Sequence, residues 1–211
     1  MTGRIEVVSY RVRDFTSLYG TRGFSDRLLN VHFELYGGYV KNVNEILERL
    51  SGRRHDEGGG PLARAALRRR LGWEWNGMRL HELYFGNLGG SGELEPSTEL
   101  GGKIERDFGS FERFQKEFRT IGEMRGVGWV ILYYDPAGDR LFNAWIGEHD
   151  RGHLVGGVPL LVMDVWEHAY LEDYGVRRAD YVVAFLASAD WAMVSMRLQT
   201  GLECRSLMIG G

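Results

Sequence analysis

A short stretch near the C-terminus, 158-VPLLVMDVWEHAYLEDYG-175, places groups capable of acid–base or metal chemistry directly after an apolar run. Asp164 follows the run, and Glu167 and His168 come within the next four residues. An aspartate and a histidine four residues apart can point the same way when a helix starts between them. The spacing therefore predicts that Asp164 and His168 share one site at the end of a buried strand.

Two histidines in the N-terminal half, His32 and His81, interrupt stripes of apolar residues that recur at helical spacing. One interpretation is that each is a core histidine satisfied by hydrogen bonds. A second follows if the two helices form an antiparallel hairpin around a glycine-rich loop centred near Asp56. His32 lies 24 residues before that centre and His81 lies 25 residues after it, so the hairpin would set both imidazoles at one level on facing stripes. Two buried imidazoles at one level favour a metal site over a packed core.

Together these residues form a ligand set of three imidazoles and one carboxylate, with no sulfur. Nitrogen and oxygen ligands of this kind suit iron, manganese or zinc. Catalytic zinc usually has three protein ligands, so four favour a redox-active iron or manganese ion with one position left for solvent. A core without metal is the alternative, but it would leave several buried polar groups unpaired. The predicted metal ligands are His32, His81, Asp164 and His168.

The N-terminal part of the sequence is predicted to be an extended arm followed by two long helices. Residues 1–24 form the arm, and Ser25 is a good N-cap for the first helix. The glycine-rich segment 51–61 separates that helix from the second, whose apolar pattern runs to residue 88. The run 86-GNLGGSG-92 ends the second helix and predicts a domain boundary, which gives domains of residues 1–92 and 93–211.

The C-terminal part combines helices with a small sheet. Two strands joined by a Pro-Ala-Gly-Asp turn predict a hairpin, and the apolar run 158–163 predicts a third, buried strand. Helical patterns flank these strands on both sides. The fold class is therefore α+β, with a long N-terminal α-helical hairpin and a C-terminal α/β domain containing a small antiparallel sheet. The predicted helices are 98–107, 110–124, 178–188 and 189–200, and the hairpin strands are 127–135 and 140–147.

Composition excludes several classes of protein. A formal net charge of -3 and a pI near 6.1 give no sign of a nucleic-acid-binding protein. Cys204 is the only cysteine, so an intramolecular disulfide is impossible. The N-terminus has no apolar region typical of a secretory signal, and no uncharged stretch approaches the roughly 20 residues that span a bilayer. We therefore expect a cytoplasmic protein that binds neither nucleic acid nor membrane.

Four motifs in this order resemble those of the iron/manganese superoxide dismutase family, over about residues 10–200. The resemblance implies a subunit with an N-terminal α-hairpin and a three-stranded antiparallel sheet. It also implies one iron or manganese ion per subunit, held by the four residues named above. Superoxide would be disproportionated to dioxygen and hydrogen peroxide, in a homodimer or a tetramer. The motifs are 32-HFELYGGYVKNVNEI-46, 81-HELYF-85, 126-GVGW-129 and 164-DVWEHAY-170.

The resemblance further implies roles for five residues around the metal. Tyr39 would stand at the mouth of the substrate channel, and Trp129 and Trp166 would wall the metal pocket. Glu167 would reach across a dimer interface to the partner's last histidine ligand, and Arg178 would attract the anionic substrate. Each residue also has a purely structural alternative, as a core aromatic, a helix-packing tyrosine, a solvated carboxylate or a helix cap.

The sequence departs from the family pattern in two respects. Six residues separate His32 from Tyr39 where the family usually has seven, and an ungapped alignment would put Val31 at the ligand position. The family also places a glutamine against the metal-bound solvent, and its two expected positions here hold Gly77 and Arg125. The alternative function is therefore a metal-binding or assembly protein with little turnover. His149 and His153 are expected at the surface or the channel edge, without a role.

Overall fold

The computed structural model describes residues 9–51 and 60–209. This part of the chain contains four α-helices, then three strands, then three more α-helices, with short 3-10 turns at Thr16–Leu18 and Glu167–Ala169. The glycine-rich loop around Asp56 lies outside the described residues, as do the first eight residues of the predicted arm. The helices are α1 (Asp26–Leu50), α2 (Pro61–Phe85), α3 (Glu99–Phe108), α4 (Phe111–Gly122), α5 (Leu171–Tyr174), α6 (Arg178–Ala187) and α7 (Trp191–Ile209); the strands are β1 (Gly128–Asp135), β2 (Arg140–Gly147) and β3 (Val158–Asp164).

The two long helices α1 and α2 pack against each other as the hairpin predicted from the sequence. Ser25 caps α1, because its hydroxyl oxygen accepts a hydrogen bond from the amide of Leu28 at 3.1 Å. Pro61 starts α2 at a position where a missing N–H costs nothing. The imidazole rings of His32 and His81 lie 5.0 Å apart, so the antiparallel pairing sets them at one level, as predicted.

Helix α1 continues as an α-helix from Asp26 to Leu50, and this accommodates the shorter spacing between His32 and Tyr39. On a regular α-helix, residues seven positions apart share a face. Both side chains are buried toward α2, whereas Val31 is about half exposed. The ungapped alignment, which would put Val31 at the ligand position, therefore has no support in the structure. His32 is the residue that reaches the interior.

The three strands form one antiparallel sheet in the order β2-β1-β3. Strand β1 lies in the centre and is buried along almost its whole length. Its register pairs Trp129 with Asp164 on β3 and with Ile146 on β2, so the carboxylate stands beside the tryptophan. The predicted α+β class and the three-stranded antiparallel sheet are confirmed.

A single cluster of buried apolar side chains runs from the α1–α2 hairpin through the sheet to α7. This cluster contains residues from both sides of position 92 and is not divided there. The domain boundary near residue 92 therefore stays a prediction. The four predicted C-terminal helices are confirmed, although the last extends to Ile209. Among the described residues, no helix combines the length and apolar character needed to cross a membrane.

Candidate metal centre

Helix α2 orients His81 by a hydrogen bond within its own turn. The Nδ1–H of His81 donates to the carbonyl oxygen of Gly77 at 2.6 Å, since a carbonyl can only accept. This fixes the proton on Nδ1 and leaves a lone pair on Nε2. The Nε2 atom is buried and has no hydrogen-bond partner among the described residues. It is therefore directed and unprotonated, as a metal ligand must be.

His32 on α1 is equally buried and equally short of partners. Its ring lies 5.0 Å from that of Tyr84 and 4.9 Å from that of Phe85, which together form an apolar wall. Neither of its ring nitrogens has a hydrogen-bond partner among the described residues. Buried polar atoms are nearly always paired in native proteins, so an unpaired imidazole calls for a ligand.

The end of strand β3 delivers the carboxylate. Asp164 is fully buried, and its Oδ1 accepts a hydrogen bond from the amide of Trp166 at 2.7 Å. The hydroxyl of Tyr181 donates to its main-chain carbonyl at 2.6 Å. These bonds leave Oδ2 facing the imidazoles. The 3-10 turn Glu167–Ala169 brings His168 back, with Nε2 3.1 Å from Oδ2.

The four groups converge at the spacing of ligands to one ion. The Nε2 atoms of His168, His32 and His81 lie 3.1, 3.3 and 3.7 Å from Oδ2 of Asp164. One ligand atom from each of the four residues lies within 4.8 Å of all the others. Metal–ligand bonds of about 2.0–2.2 Å place two ligand atoms of one ion roughly 3–4.3 Å apart. The residues present therefore fit a mononuclear metal.

The charges of the cluster also suit a cation. Burial lowers the pKa of His81 well below its ordinary value and lowers that of His32, so both imidazoles stay neutral. Burial opposes ionisation of Asp164, but the imidazoles of His168 and His32 beside its carboxylate hold its pKa below the usual range. Two neutral imidazoles, His32 and His81, thus face one carboxylate anion, which is the protonation state that suits metal ligands.

Tyr39 packs beside the cluster and meets a residue that the sequence analysis placed elsewhere. Its ring centroid lies 5.0 Å from that of His81, and its hydroxyl lies 2.7 Å from Nε2 of His149. His149 was expected at the surface or the channel edge, and the surface position is wrong, because the side chain is completely buried. The Nε1–H of Trp129 donates to Nδ1 of His149 at 3.1 Å. His149 thus joins Tyr39 to Trp129.

Comparison with known proteins supplies the family. A family model described as iron/manganese superoxide dismutases, C-terminal domain, matches residues 96–197. The iron superoxide dismutase of Cupriavidus metallidurans is 40% identical over 185 residues, covering 86% of this chain and 91% of the relative. The manganese superoxide dismutase 2 of Haloferax volcanii is 36% identical over 180 residues, covering 85% and 89%. The iron superoxide dismutase of Methanothermobacter thermautotrophicus is 39% identical over 171 residues, covering 80% and 82%.

This chain belongs to the iron/manganese superoxide dismutase family. Neither Gly77 nor Arg125, at the two positions expected for the family's glutamine, supplies a side-chain amide beside the cluster. A Cβ at Gly77 would lie 2.6 Å from Cδ1 of Tyr39, so the tyrosine ring fills the space that a side chain would need. Arg125 is exposed. The polar group beside Tyr39 and Trp129 is instead His149, which reaches them from the segment after β2.

The hairpin register carried the signal that could have found His149. Trp129 pairs with Ile146, and the amide of Glu148 donates to the carbonyl of Val127 at 3.2 Å, so the chain stays beside β1 past the end of β2. Extending the predicted hairpin by three residues from Ile146 brings His149 near Trp129. No local apolar periodicity marks this position, because the flanking loop is exposed.

The two tryptophans of the superoxide dismutase pattern line the cluster. Trp129 is fully buried with its ring 5.1 Å from that of His81. Trp166 stacks on His149 at 4.9 Å, and its ring lies 6.1 Å from that of His168. Its Nε1 is buried without a hydrogen-bond partner in the described part of the chain. Both aromatics thus lie beside the cluster, and their role as walls of a metal pocket stays a prediction.

Arg178 and Glu167 occupy different surroundings from the aromatics. Arg178 donates from Nε to the carbonyl of Gly122 at 2.7 Å and from Nη1 to that of Gly126 at 2.8 Å. Two of its donors therefore hold the segment between α4 and β1, and its Nη2 is buried without a hydrogen-bond partner in the described part of the chain. Glu167 is exposed, next to a His168 side chain that keeps 22% of its surface accessible.

Proposed function

We propose that this family member is a superoxide dismutase acting at a single iron or manganese ion held by His32, His81, Asp164 and His168. The observation that carries the proposal is the convergence of three imidazoles on one buried carboxylate, with two of the nitrogens otherwise unpaired. When bound, the ion supplies the one-electron chemistry by which two superoxide anions and two protons become dioxygen and hydrogen peroxide. Membership of the superoxide dismutase family implies that superoxide is the substrate.

The ligands are held by contacts that fix their direction before any ion arrives. The carbonyl of Gly77 orients His81, and the amide of Trp166 orients the Asp164 carboxylate. Hydrogen bonds from residues outside the ligand set keep the ligands in one orientation and tune their basicity. The apolar wall of Tyr84 and Phe85 excludes water from the side of His32. A dry pocket of this kind strengthens the attraction between the carboxylate and a cation.

The pair Tyr39 and His149 holds a proton beside the ligands. Because the indole of Trp129 can only donate, Nδ1 of His149 is unprotonated and the neutral ring carries its proton on Nε2. That proton is donated to the hydroxyl oxygen of Tyr39 at 2.7 Å. The hydroxyl proton of Tyr39 is then not used in the bond to His149. Tyr39 is thereby poised to donate a proton toward substrate.

The remaining residues serve the anion and the assembly. Arg178 attracts superoxide through the field of its positive charge and not through a solvent-facing donor, because its Nη2 is buried. The protein forms a homodimer in which the exposed Glu167 of one subunit orients the partly exposed histidine ligand of the other, and the exposure of both side chains supports this assembly. The mass of the assembly distinguishes a dimer from a tetramer.

The alternative is a metal-binding or assembly protein with little turnover. It was favoured by the missing glutamine, since Gly77 and Arg125 cannot hydrogen-bond as an amide does. His149 weakens that argument, because it supplies both a donor and an acceptor beside Tyr39 and Trp129. A protein that only stores metal has no need of a polar pair held in one tautomer next to the ligands.

The experiment loads purified protein separately with iron and with manganese. Metal content is measured by mass spectrometry of the eluted metal, and superoxide decay is followed directly after pulse radiolysis. We expect one ion per subunit and a metal-dependent rate at least about tenfold above that of the metal-free chain, because the redox step requires the ion. Stoichiometric metal without accelerated decay in either form would establish the alternative. Sedimentation of the same samples reports whether the subunit is dimeric or tetrameric.

A further inference from the structure

The segment that carries His149 is an exposed loop with one inward-facing side chain besides that histidine. Between Asp150 and Gly156 every residue is exposed except His153, which is half-buried. His149 itself is completely buried. A buried functional side chain at the edge of an exposed loop needs a tether, because loops without packed contacts move on fast timescales.

The ring of His153 supplies two hydrogen bonds that tie the loop to the sheet. Its Nε2 lies 2.9 Å from the main-chain carbonyl oxygen of His149, and its Nδ1 lies 2.7 Å from the hydroxyl of Tyr133 on β1. Since the carbonyl can only accept, Nε2 carries the proton and Nδ1 accepts from the tyrosine hydroxyl. Tyr133 is buried in the central strand and offers a fixed anchor. We call Tyr133 and His153 the loop clamp.

The backbone before His149 is held in a conformation that requires such a clamp. Glu148 adopts a φ of 53°, in the left-handed region that non-glycine residues rarely occupy. Gly147 and Arg151 exchange two main-chain hydrogen bonds, of 2.8 and 3.1 Å, across the turn. Strained residues persist where surrounding contacts over-determine them. The turn therefore points His149 inward, and the two hydrogen bonds of His153 hold the chain on the other side of that residue.

We infer that His153 is a positioning residue for the metal site, which acts through the carbonyl of His149 to keep that imidazole between Tyr39 and Trp129. The inference rests on the proposed function for its catalytic consequence, but the geometry that it explains is independent of turnover. Tyr133 shares the role as the fixed end of the clamp. Neither residue touches the four ligands, so metal binding itself does not depend on them.

The test compares His153→Phe, which keeps a ring without hydrogen-bonding nitrogens, with His153→Gln, which offers one donor and one acceptor. Val155→Ala is the matched control, because Val155 lies in the same loop with its side chain fully exposed. Three quantities are measured on the metal-loaded chain: the rate constant for superoxide decay, the midpoint potential, and the dissociation constant of azide as a probe anion. We expect His153→Phe to change the rate constant and the azide dissociation constant by at least about threefold and to shift the midpoint potential. Losses of this kind follow when a contact outside the metal ligands is removed. His153→Gln should recover part of each change.

A double-variant cycle with His149→Ala separates positioning from general destabilisation. If His153 acts through His149, adding His153→Phe to His149→Ala changes none of the three quantities further, because the two residues are coupled. Equal effects of His153→Phe with and without His149, or unchanged azide constant and potential in the single variant, would overturn the inference. A wild-type chain that binds metal without turnover would refute the proposed function alone, since the potential and azide comparisons still decide the role of His153.

Discussion

The indole of Trp129 donates its Nε1–H to Nδ1 of His149, with 3.1 Å between the two nitrogens. This one bond determines the tautomer of the imidazole and, through it, the direction of the bond to Tyr39. Burial lowers the pKa of His149 to about 4, so the ring stays neutral near pH 7 and the arrangement persists. The tryptophan is thus more than a wall of the pocket, because it sets which atom of His149 holds a proton.

Replacing His149 tests the arrangement directly. His149→Ala leaves the buried hydroxyl of Tyr39 and the Nε1–H of Trp129 without this partner, which should cost about 1–3 kcal/mol in the free energy of unfolding. His149→Gln can accept from the indole and donate to the tyrosine, so it should retain most stability and part of the turnover. Chemical denaturation and superoxide decay measure the two effects. Equal losses in both variants would contradict the assigned tautomer.

Gly77 and Gly72 form a matched pair on helix α2. A Cβ at Gly77 would lie 2.6 Å from Cδ1 of Tyr39, so Gly77→Ala should displace the tyrosine ring and destabilise the chain by about 1–3 kcal/mol through overpacking. A Cβ at Gly72 meets nothing within 4 Å, and Gly72→Ala should stabilise the helix by about 0.5–1 kcal/mol. Thermal unfolding gives both signs, and dismutation should fall in Gly77→Ala only. A stabilised, active Gly77→Ala would show that Tyr39 does not need this space.

Removal of one ligand should abolish metal binding. His81→Ala deletes a nitrogen that points at the other ligands, and we expect metal content well below one ion per subunit with a lower unfolding temperature, because binding energy is coupled to folding. His153→Ala is the control, since His153 lies outside the ligand set and should leave metal content unchanged. Stripping the wild type with a chelator should reproduce the loss of unfolding temperature. Unchanged metal in His81→Ala would remove His81 from the ligands.

Acid stability should depend on Asp139 in the turn between β1 and β2. Burial opposes its ionisation, but hydrogen bonds from Lys103, Tyr134 and Arg106 hold its pKa below the ordinary value of 3.8. A carboxyl with a lowered pKa in the folded state contributes stability above its unfolded value, and this contribution is lost as pH falls below it. Asp139→Asn should therefore cost about 1–3 kcal/mol at neutral pH, as for hydrogen bonds to a charged group.

The difference in the free energy of unfolding between Asp139→Asn and wild type should be constant above about pH 5 and shrink progressively below the ordinary value of 3.8. Asp150→Asn serves as the control, because Asp150 is exposed in the loop after β2. Urea unfolding at a series of pH values gives the comparison. A difference that stays constant down to pH 2 would show that Asp139 contributes nothing through its charge.

The sequence by itself determined the ligands and the elements that carry them. The spacing of Asp164 and His168 is local, so a short turn after a strand suffices to bring them together. The prediction that His32 and His81 lie at the same level of the hairpin follows from counting residues along two regular helices joined by one loop. Both arguments use periodicities that the backbone imposes, and neither needs a long-range contact. The three-stranded sheet was likewise readable from apolar runs and turn residues.

Only the tertiary structure decided what surrounds those ligands. The burial of His149 depends on the register of β1 against β2 and on a left-handed residue at Glu148, and neither leaves a periodic trace in the sequence. The closure of Gly77 by the ring of Tyr39, and the use of Arg178 to bind two carbonyls, are contacts between distant segments. Such contacts depend on how rigid elements pack to within a few tenths of an ångström, and residue order along the chain does not encode that distance directly.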